Sequence, residues 1–120
     1  MATHNDLGKW GEDVAARYLV DNGYRIIQRD WKSGHRDIDI VASNGKVVVF
    51  VEVKTRRNRL YAEPITSVDY RKMQNLRVAM NHYIKSNRMD KPCRFDVITV
   101  IGMPEDPTPE VNHIEDIQLV

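Results

Sequence analysis

At 120 residues and 14.0 kDa, with 42% hydrophobic and 29% charged residues, the chain reads as one globular domain over residues 1–120, with room for one core. The 18 Lys+Arg and 17 Asp+Glu leave a net charge of +1, so bulk charge selects no partner. A single cysteine, Cys93, excludes an intrachain disulfide framework and suits a reducing compartment. The first residues lack an apolar secretory core and no run approaches membrane-spanning length, so the expected location is cytoplasmic, with no membrane partner.

Asn5 or Asp6 is placed to cap a helix reaching about Asp21, where Asn22-Gly23 supplies a stop. Leu7, Trp10, Val14 and Tyr18 recur at helical spacing and form its expected core stripe. Glu12 lies at the edge of that stripe among Gly8, Ala15 and Ala16, small neighbours that let another element come close. Taken on the helix alone, its carboxylate is a solvated surface group. Tyr24 to Trp31, rich in β-branched and aromatic residues, reads as a strand, and Lys32-Ser33-Gly34-His35-Arg36 as its connection onward.

Asp37 to Ser43 and Lys46 to Lys54 then read as two strands around Asn44-Gly45, the strongest short-range hairpin signal. Val47, Val48, Val49, Phe50, Val51 and Val53 are apolar enough to be buried on both faces. Glu52 and Lys54 interrupt that run near its end, and buried charges need compensation. With Asn44-Gly45 as the turn, Asp39 falls opposite Phe50 and Asp37 opposite Glu52. Alternation then puts Asp37, Asp39, Glu52 and Lys54 on one face, with Asp39 and Glu52 as diagonal neighbours.

Thr55 to Thr66 is basic, contains Pro64 and lacks periodicity, as a mobile loop does. Ser67 caps a second helix reaching about Asn87, whose buried stripe is Met73, Leu76, Ala79, Met80, Tyr83 and Ile84. Arg71, Lys72, Gln74 and Arg77 lie on its other face, where Lys72 and Gln74 are the candidates to line a nucleic-acid groove. Arg94 to Ile101 is a strand, Met103 to Pro109 a Pro-rich acidic linker, and Val111 to Val120 a final edge strand. Helix, strand, hairpin, helix and strands in this order predict an α/β fold with a central mixed sheet flanked by helices.

Familiar sites drop out. Gly8 and Gly11 lie inside a helix and Gly34 and Gly45 stand alone, so there is no phosphate-cradling loop. His4, His35, His82 and His113 lack ligand spacing, and one cysteine makes no zinc knuckle. Cys93 has no candidate base nearby in sequence. Clustered carboxylates instead favour a hard cation, Mg²⁺ or Mn²⁺. Asp39 and Glu52 would be its ligands, with the Val53 carbonyl as a third oxygen. Lys54 would orient an attacking water and offset charge on a phosphate, while Arg56, Arg57 and Arg59 bind flanking phosphates. The competing reading makes Arg36–Asp37 and Glu52–Lys54 ordinary surface ion pairs, which contribute little.

Asp39 with Glu52-Val53-Lys54 at a strand end resembles the Asp…Glu-x-Lys signature of the restriction-endonuclease-like superfamily. Gly11 to Leu19, Asp37 to Ala42 and Val49 to Arg56 resemble the YraN-type uncharacterised protein family, a likeness extended by Val68, Lys72, Ala79 and Arg94-Phe95-Asp96-Val97. The resemblance implies an endonuclease-like core, similar also to archaeal-type Holliday-junction resolvases, with Glu12 at the motif position of a first-helix glutamate that contributes to the metal site. It also implies that DNA, branched or single-stranded forms included, is the substrate, and that a homodimer forms. Arg36-Asp37 stands where the family usually has Gly-Glu, which makes Asp37 a supporting residue beside Asp39, Glu52 and Lys54. The alternative is a catalytically inactive DNA- or RNA-binding module, or a protein-interaction subunit, with the same fold.

Overall fold

The computed structural model describes residues 4–61 and 70–118. Helix α1 (His4–Asp21) precedes a meander of β1 (Arg25–Ser33), β2 (Arg36–Ser43) and β3 (Val48–Arg56), each antiparallel to the next. A short 3-10 turn (Arg59–Tyr61) and helix α2 (Tyr70–Ser86) lead to β4 (Cys93–Ile101), which runs parallel to β3 and is paired antiparallel with β5 (Glu110–Ile114). The five strands lie in sequence order, and α2 belongs to the crossover that a parallel pair requires.

The two helices cover opposite faces. Ala15 and Leu19 of α1 pack on Ile40, Ala42, Val49, Val51, Ile98 and Val100, while Leu76, Ala79 and Tyr83 of α2 pack on Val41, Val48, Phe50, Phe95 and Val97. Successive β3 residues therefore enter opposite cores, as a strand buried on both faces must. Tyr83 joins the layers by edge-on contacts with Trp31 and Phe50, at centroid distances of 5.3 and 5.5 Å. Burying each large side chain of these cores contributes about 1.5–3 kcal/mol. The result is the mixed α/β architecture expected, consistent with a nuclease-like core.

Four local expectations change. The first helix already includes His4, so Asp6 lies in its first turn, near the positive end of the dipole, and does not cap it. Its innermost residues are Gly11, Ala15 and Leu19, whereas Trp10, Val14 and Tyr18 are half-buried. The helix can settle on its small side because Gly11 has no side chain; a methyl group there would overlap the Thr55 side chain. The second strand of the hairpin runs on to Arg56, past the expected loop start at Thr55. The final edge strand is shorter than expected, Glu110–Ile114. Ser67, Val68 and Pro64 lie outside the described residues.

The hairpin register is also corrected. Val41, not Asp39, faces Phe50, and Ser43 faces Val48. The connection takes four residues because the Asn44 side chain accepts hydrogen bonds from the N–H groups of both Lys46 (2.9 Å) and Val47 (3.0 Å), and Ser43 Oγ accepts one from Gly45 N–H (3.0 Å). This shift alone would keep Asp39 and Glu52 on one face. Alternation breaks instead at Asp39: Ile38 packs in the α2-side core and Ile40 in the α1-side core, though two residues apart on one strand should share a face. Across the β1–β2 pair, Asp30 lies between Arg29, facing Ile40, and Trp31, facing Ile38, and it holds a positive φ of 50°. Aspartate is among the few side chains that tolerate this region. Both strands thus change face at the same place.

Candidate metal centre and nucleic-acid interface

Asp39 sits where the β2–β3 ladder ends. Its Oδ2 accepts the Val53 N–H at 2.8 Å, doing for β3 what a strand carbonyl would have done. On the α1 side the carboxylates of Glu12, Asp30 and Asp39 lie within 4.8 Å of one another. Gly11 makes this possible by letting α1 settle against β3 at Thr55, which brings the next residue, Glu12, to the strand end. A cavity of about 250 Å³ opens here, lined by Gly8, Glu12, Asp39, Val53, Thr55 and Arg56.

Electrostatics confirms the crowding. Burial, a hydrogen bond with Asp30 and the charges of Asp39 and Asp30 push Glu12 up to about 8, against the pull of Arg29. Burial also pushes Asp39 up to about 6, reinforced by the charges of Glu52, Asp37 and Asp30 and opposed by the Val53 N–H. Arg29 supplies partial relief: its Nη2 is 2.8 Å from Asp13 and 3.9 Å from Glu12. Burial and neighbouring negative charge both disfavour the ionised forms of Glu12 and Asp39.

Glu52 is directed elsewhere. Its side chain, 10% exposed, receives Lys72 Nζ at 2.9 Å on Oε1, while Oε2 is buried with no hydrogen-bond partner among the described residues. Asp37 lines the same small cavity of about 130 Å³, together with Arg36, Lys72 and Asn75. The expected single face carrying Asp37, Asp39, Glu52 and Lys54 is therefore split: Asp39 joins Glu12, and Glu52 joins Lys72, because of the change of face at Asp39. Lys54 is buried at the same strand end and forms no ion pair among the described residues.

The basic group is also divided. Arg56 lines the acidic cavity and donates to the Thr55 carbonyl at 2.9 Å. Arg57 is exposed. Arg59 reaches Glu110 of β5 at 2.9 Å. Gln74 is half-buried on α2, two residues from Lys72 and so on a different side of the helix from the Lys72–Glu52 pair.

Two groups escape the sequence reading. Asp30 passes as an ordinary strand residue, yet it completes the acidic trio. Its signal is the Gly34-His35 turn, since a tight β1–β2 hairpin there sets Asp30 against Asp39. The second group centres on Asp96, fully buried in β4. Arg94 binds both its oxygens at 2.9 Å, His113 Nε2 lies 2.7 Å from Oδ2, and the Asp116 N–H donates to Oδ1 at 2.9 Å. Tyr18 and Tyr24 extend the network to His113 and Arg94. Burial alone would raise Asp96, but the bonds from His113, Arg94 and Asp116 outweigh it and hold the carboxyl below its usual range. Such a satisfied charge knits α1, β4 and β5 together. Although Asp96, His113 and Glu115 could ligate an ion by distance, Arg94 already stands among them, 3.0 Å from Glu115.

The model of the Uncharacterised protein family UPF0102 matches residues 11–100, which include α1 from Gly11, the β1–β3 meander and most of β4. The chain belongs to this family. A UPF0102 protein of Bacteroides thetaiotaomicron is 46% identical over 116 residues, covering 97% of this chain and 94% of the relative. Relatives of the same description from Phocaeicola vulgatus, at 39%, and Rhodococcus opacus, at 38%, each cover 97% of the chain, and 94% and 98% of their own lengths. Glu12, Asp30, Asp39, Glu52, Lys54 and Lys72 all fall inside the family segment. Among the described residues no helix is long and apolar enough to cross a membrane.

Proposed function

We propose that this UPF0102 chain is a cytoplasmic, Mg²⁺- or Mn²⁺-dependent nuclease that hydrolyses phosphodiester bonds in DNA, with branched or single-stranded DNA as substrate. The convergence of Glu12, Asp30 and Asp39 beside the basic end of β3 carries this reading. Their donor set fits the cation: three carboxylates, two of them held well above their ordinary pKa until positive charge arrives. A bound cation would polarise a phosphoryl oxygen and lower the pKa of a ligated water. Asp39 anchors the site because its other oxygen is held by Val53 N–H. Glu12 and Asp30 complete it from α1 and β1, while Glu52 stands at the same strand end with Lys72 in place of the cation. Lys54 offsets charge on the phosphate, and Arg56 and Arg57 hold the flanking backbone.

The engagement of Glu52 by Lys72 favours a second reading, a nucleic-acid-binding module with negligible cleavage. Incubating the protein and its Asp39→Asn variant with linear, single-stranded and junction DNA, with and without Mn²⁺, separates the two. Metal-dependent cleavage lost in Asp39→Asn supports the nuclease. Salt-sensitive binding without cleavage, unchanged in Asp39→Asn, supports the module. Neither cleavage nor DNA affinity overturns both and favours a protein-interaction subunit.

A further inference from the structure

Glu52 differs from the other acids of the strand end because a cation is already beside it, an ammonium group. Lys72 Nζ lies 2.9 Å from Glu52 Oε1, and the two side chains are unequally placed, 51% exposed for Lys72 and 10% for Glu52. The carboxylate belongs to the sheet, whereas the ammonium reaches in from solvent on a flexible four-carbon stem. The pairing is also incomplete. Among the described residues, Glu52 Oε2 and Arg36 Nε are both buried without hydrogen-bond partners, and both residues line the same cavity of about 130 Å³. A buried carboxylate oxygen without a donor is costly, so one lysine leaves a demand for further positive or donating groups unmet. Asp39, whose charge repels that of Glu52, stands at the neighbouring position on β2.

We propose that Lys72 is a positioning residue that holds Glu52 in the absence of a divalent cation and releases it when the cation binds, the freed ammonium then taking a phosphate oxygen of the DNA. The inference rests on the cation-dependent reading above. An ammonium and a metal ion compete for one carboxylate, and a lysine displaced from it is a compact point charge suited to phosphate. Lys72 thus opposes cation binding when DNA is absent and favours it when DNA is present. By linkage, the cation must tighten DNA binding by the same factor.

The test is a calorimetric titration of Mn²⁺ into the wild type, Lys72→Gln and Lys72→Arg, without DNA and with a short junction oligonucleotide. Glutamine keeps a donor for Glu52 but removes the charge, so the fold is retained. Without DNA, Lys72→Gln should bind Mn²⁺ about fivefold or more tightly than the wild type. With DNA the order should reverse, the wild type binding Mn²⁺ more tightly than Lys72→Gln, and Lys72→Arg should follow the wild type. In a Glu52→Gln background, Lys72→Gln should leave Mn²⁺ affinity unchanged. Damage to the fold would weaken Mn²⁺ binding, the opposite sign. Equal or weaker Mn²⁺ binding by Lys72→Gln overturns the exchange while leaving the nuclease reading intact. Absence of Mn²⁺ binding by the wild type overturns both.

Discussion

Asp39 and Glu52 both lie one residue beyond the last pair of the β2–β3 ladder, Ile40 and Val51, yet their carboxylates find different partners. Asp39 meets Val53 N–H, Glu12 and Asp30, and Glu52 meets Lys72. They still sense each other, since the charge of Glu52 helps raise Asp39. The negative charge of the strand end is thus divided between a carboxyl cluster in which Glu12 and Asp39 are pushed up and a carboxylate paired with lysine.

Cation-free stability should fall as pH rises. Glu12 and Asp39 have folded pKa values of about 8 and about 6, above the ordinary 4.5 and 3.8. The native state therefore binds more protons than the unfolded chain between about pH 4 and 8, and stability drops through that window as the groups ionise. Glu12→Gln should flatten the upper part of the profile and stabilise the protein at pH 9 by about 1–2 kcal/mol. Urea denaturation in chelator from pH 5 to 9 measures both effects; a wild-type profile rising over that range would contradict the assignment.

Mn²⁺ should reverse this loss. At a concentration a hundredfold above its dissociation constant it should add about 2.7 kcal/mol to stability. Asp30→Asn, at a position that no short motif marks, should remove most of that gain, as should Asp39→Asn. Thermal melts at pH 8 with and without Mn²⁺ provide the comparison. An undiminished Mn²⁺ shift in Asp30→Asn would exclude Asp30 from the site.

The Asp96 network should behave as structure alone. Asp96→Ala leaves Arg94 and His113 without their buried partner and should cost about 3–5 kcal/mol by urea unfolding. His113→Ala removes one of several donors and should cost less, about 1–3 kcal/mol. Folded His113→Ala should keep the Mn²⁺ affinity of the wild type, since the network lies outside the acidic trio.

The arginines should contribute unequally to DNA affinity. Neutralising a residue that contacts phosphate lowers the magnitude of the log affinity against log salt slope by about 0.7–0.9. Arg57→Gln should show this full effect. Arg59→Gln should show less, because Glu110 already holds that side chain. Fluorescence anisotropy across a salt series measures each slope.

Much of the architecture is legible in the sequence because local pattern and burial agree. The unbroken apolar run from Val47 to Val51 demands two covering layers, and the Leu76, Ala79 and Tyr83 spacing supplies one of them. The small residues around Glu12 signal close approach, which Gly11 and Thr55 realise. The turn length is harder to read because it depends on backbone hydrogen bonds accepted by the Asn44 side chain. The change of face at Asp30 and Asp39 is harder still. Strict alternation is the strongest rule available for a strand, and a positive φ at an aspartate leaves no periodic trace. His113 illustrates a further limit, for its partner Asp96 is 17 residues away and fixed by the β4–β5 register.

Gly11 gives the fold a mechanical tolerance. Any side chain there would act as a shim between α1 and β3, lifting the helix off Thr55 and carrying Glu12 away from Asp39. Displacements of about 1 Å can cost a catalytic constellation on the order of a hundredfold in rate. A hydrogen atom in place of a methyl group thus serves as the gauge that keeps the carboxylates of a helix and a strand, distant in sequence, within 4.8 Å of one another.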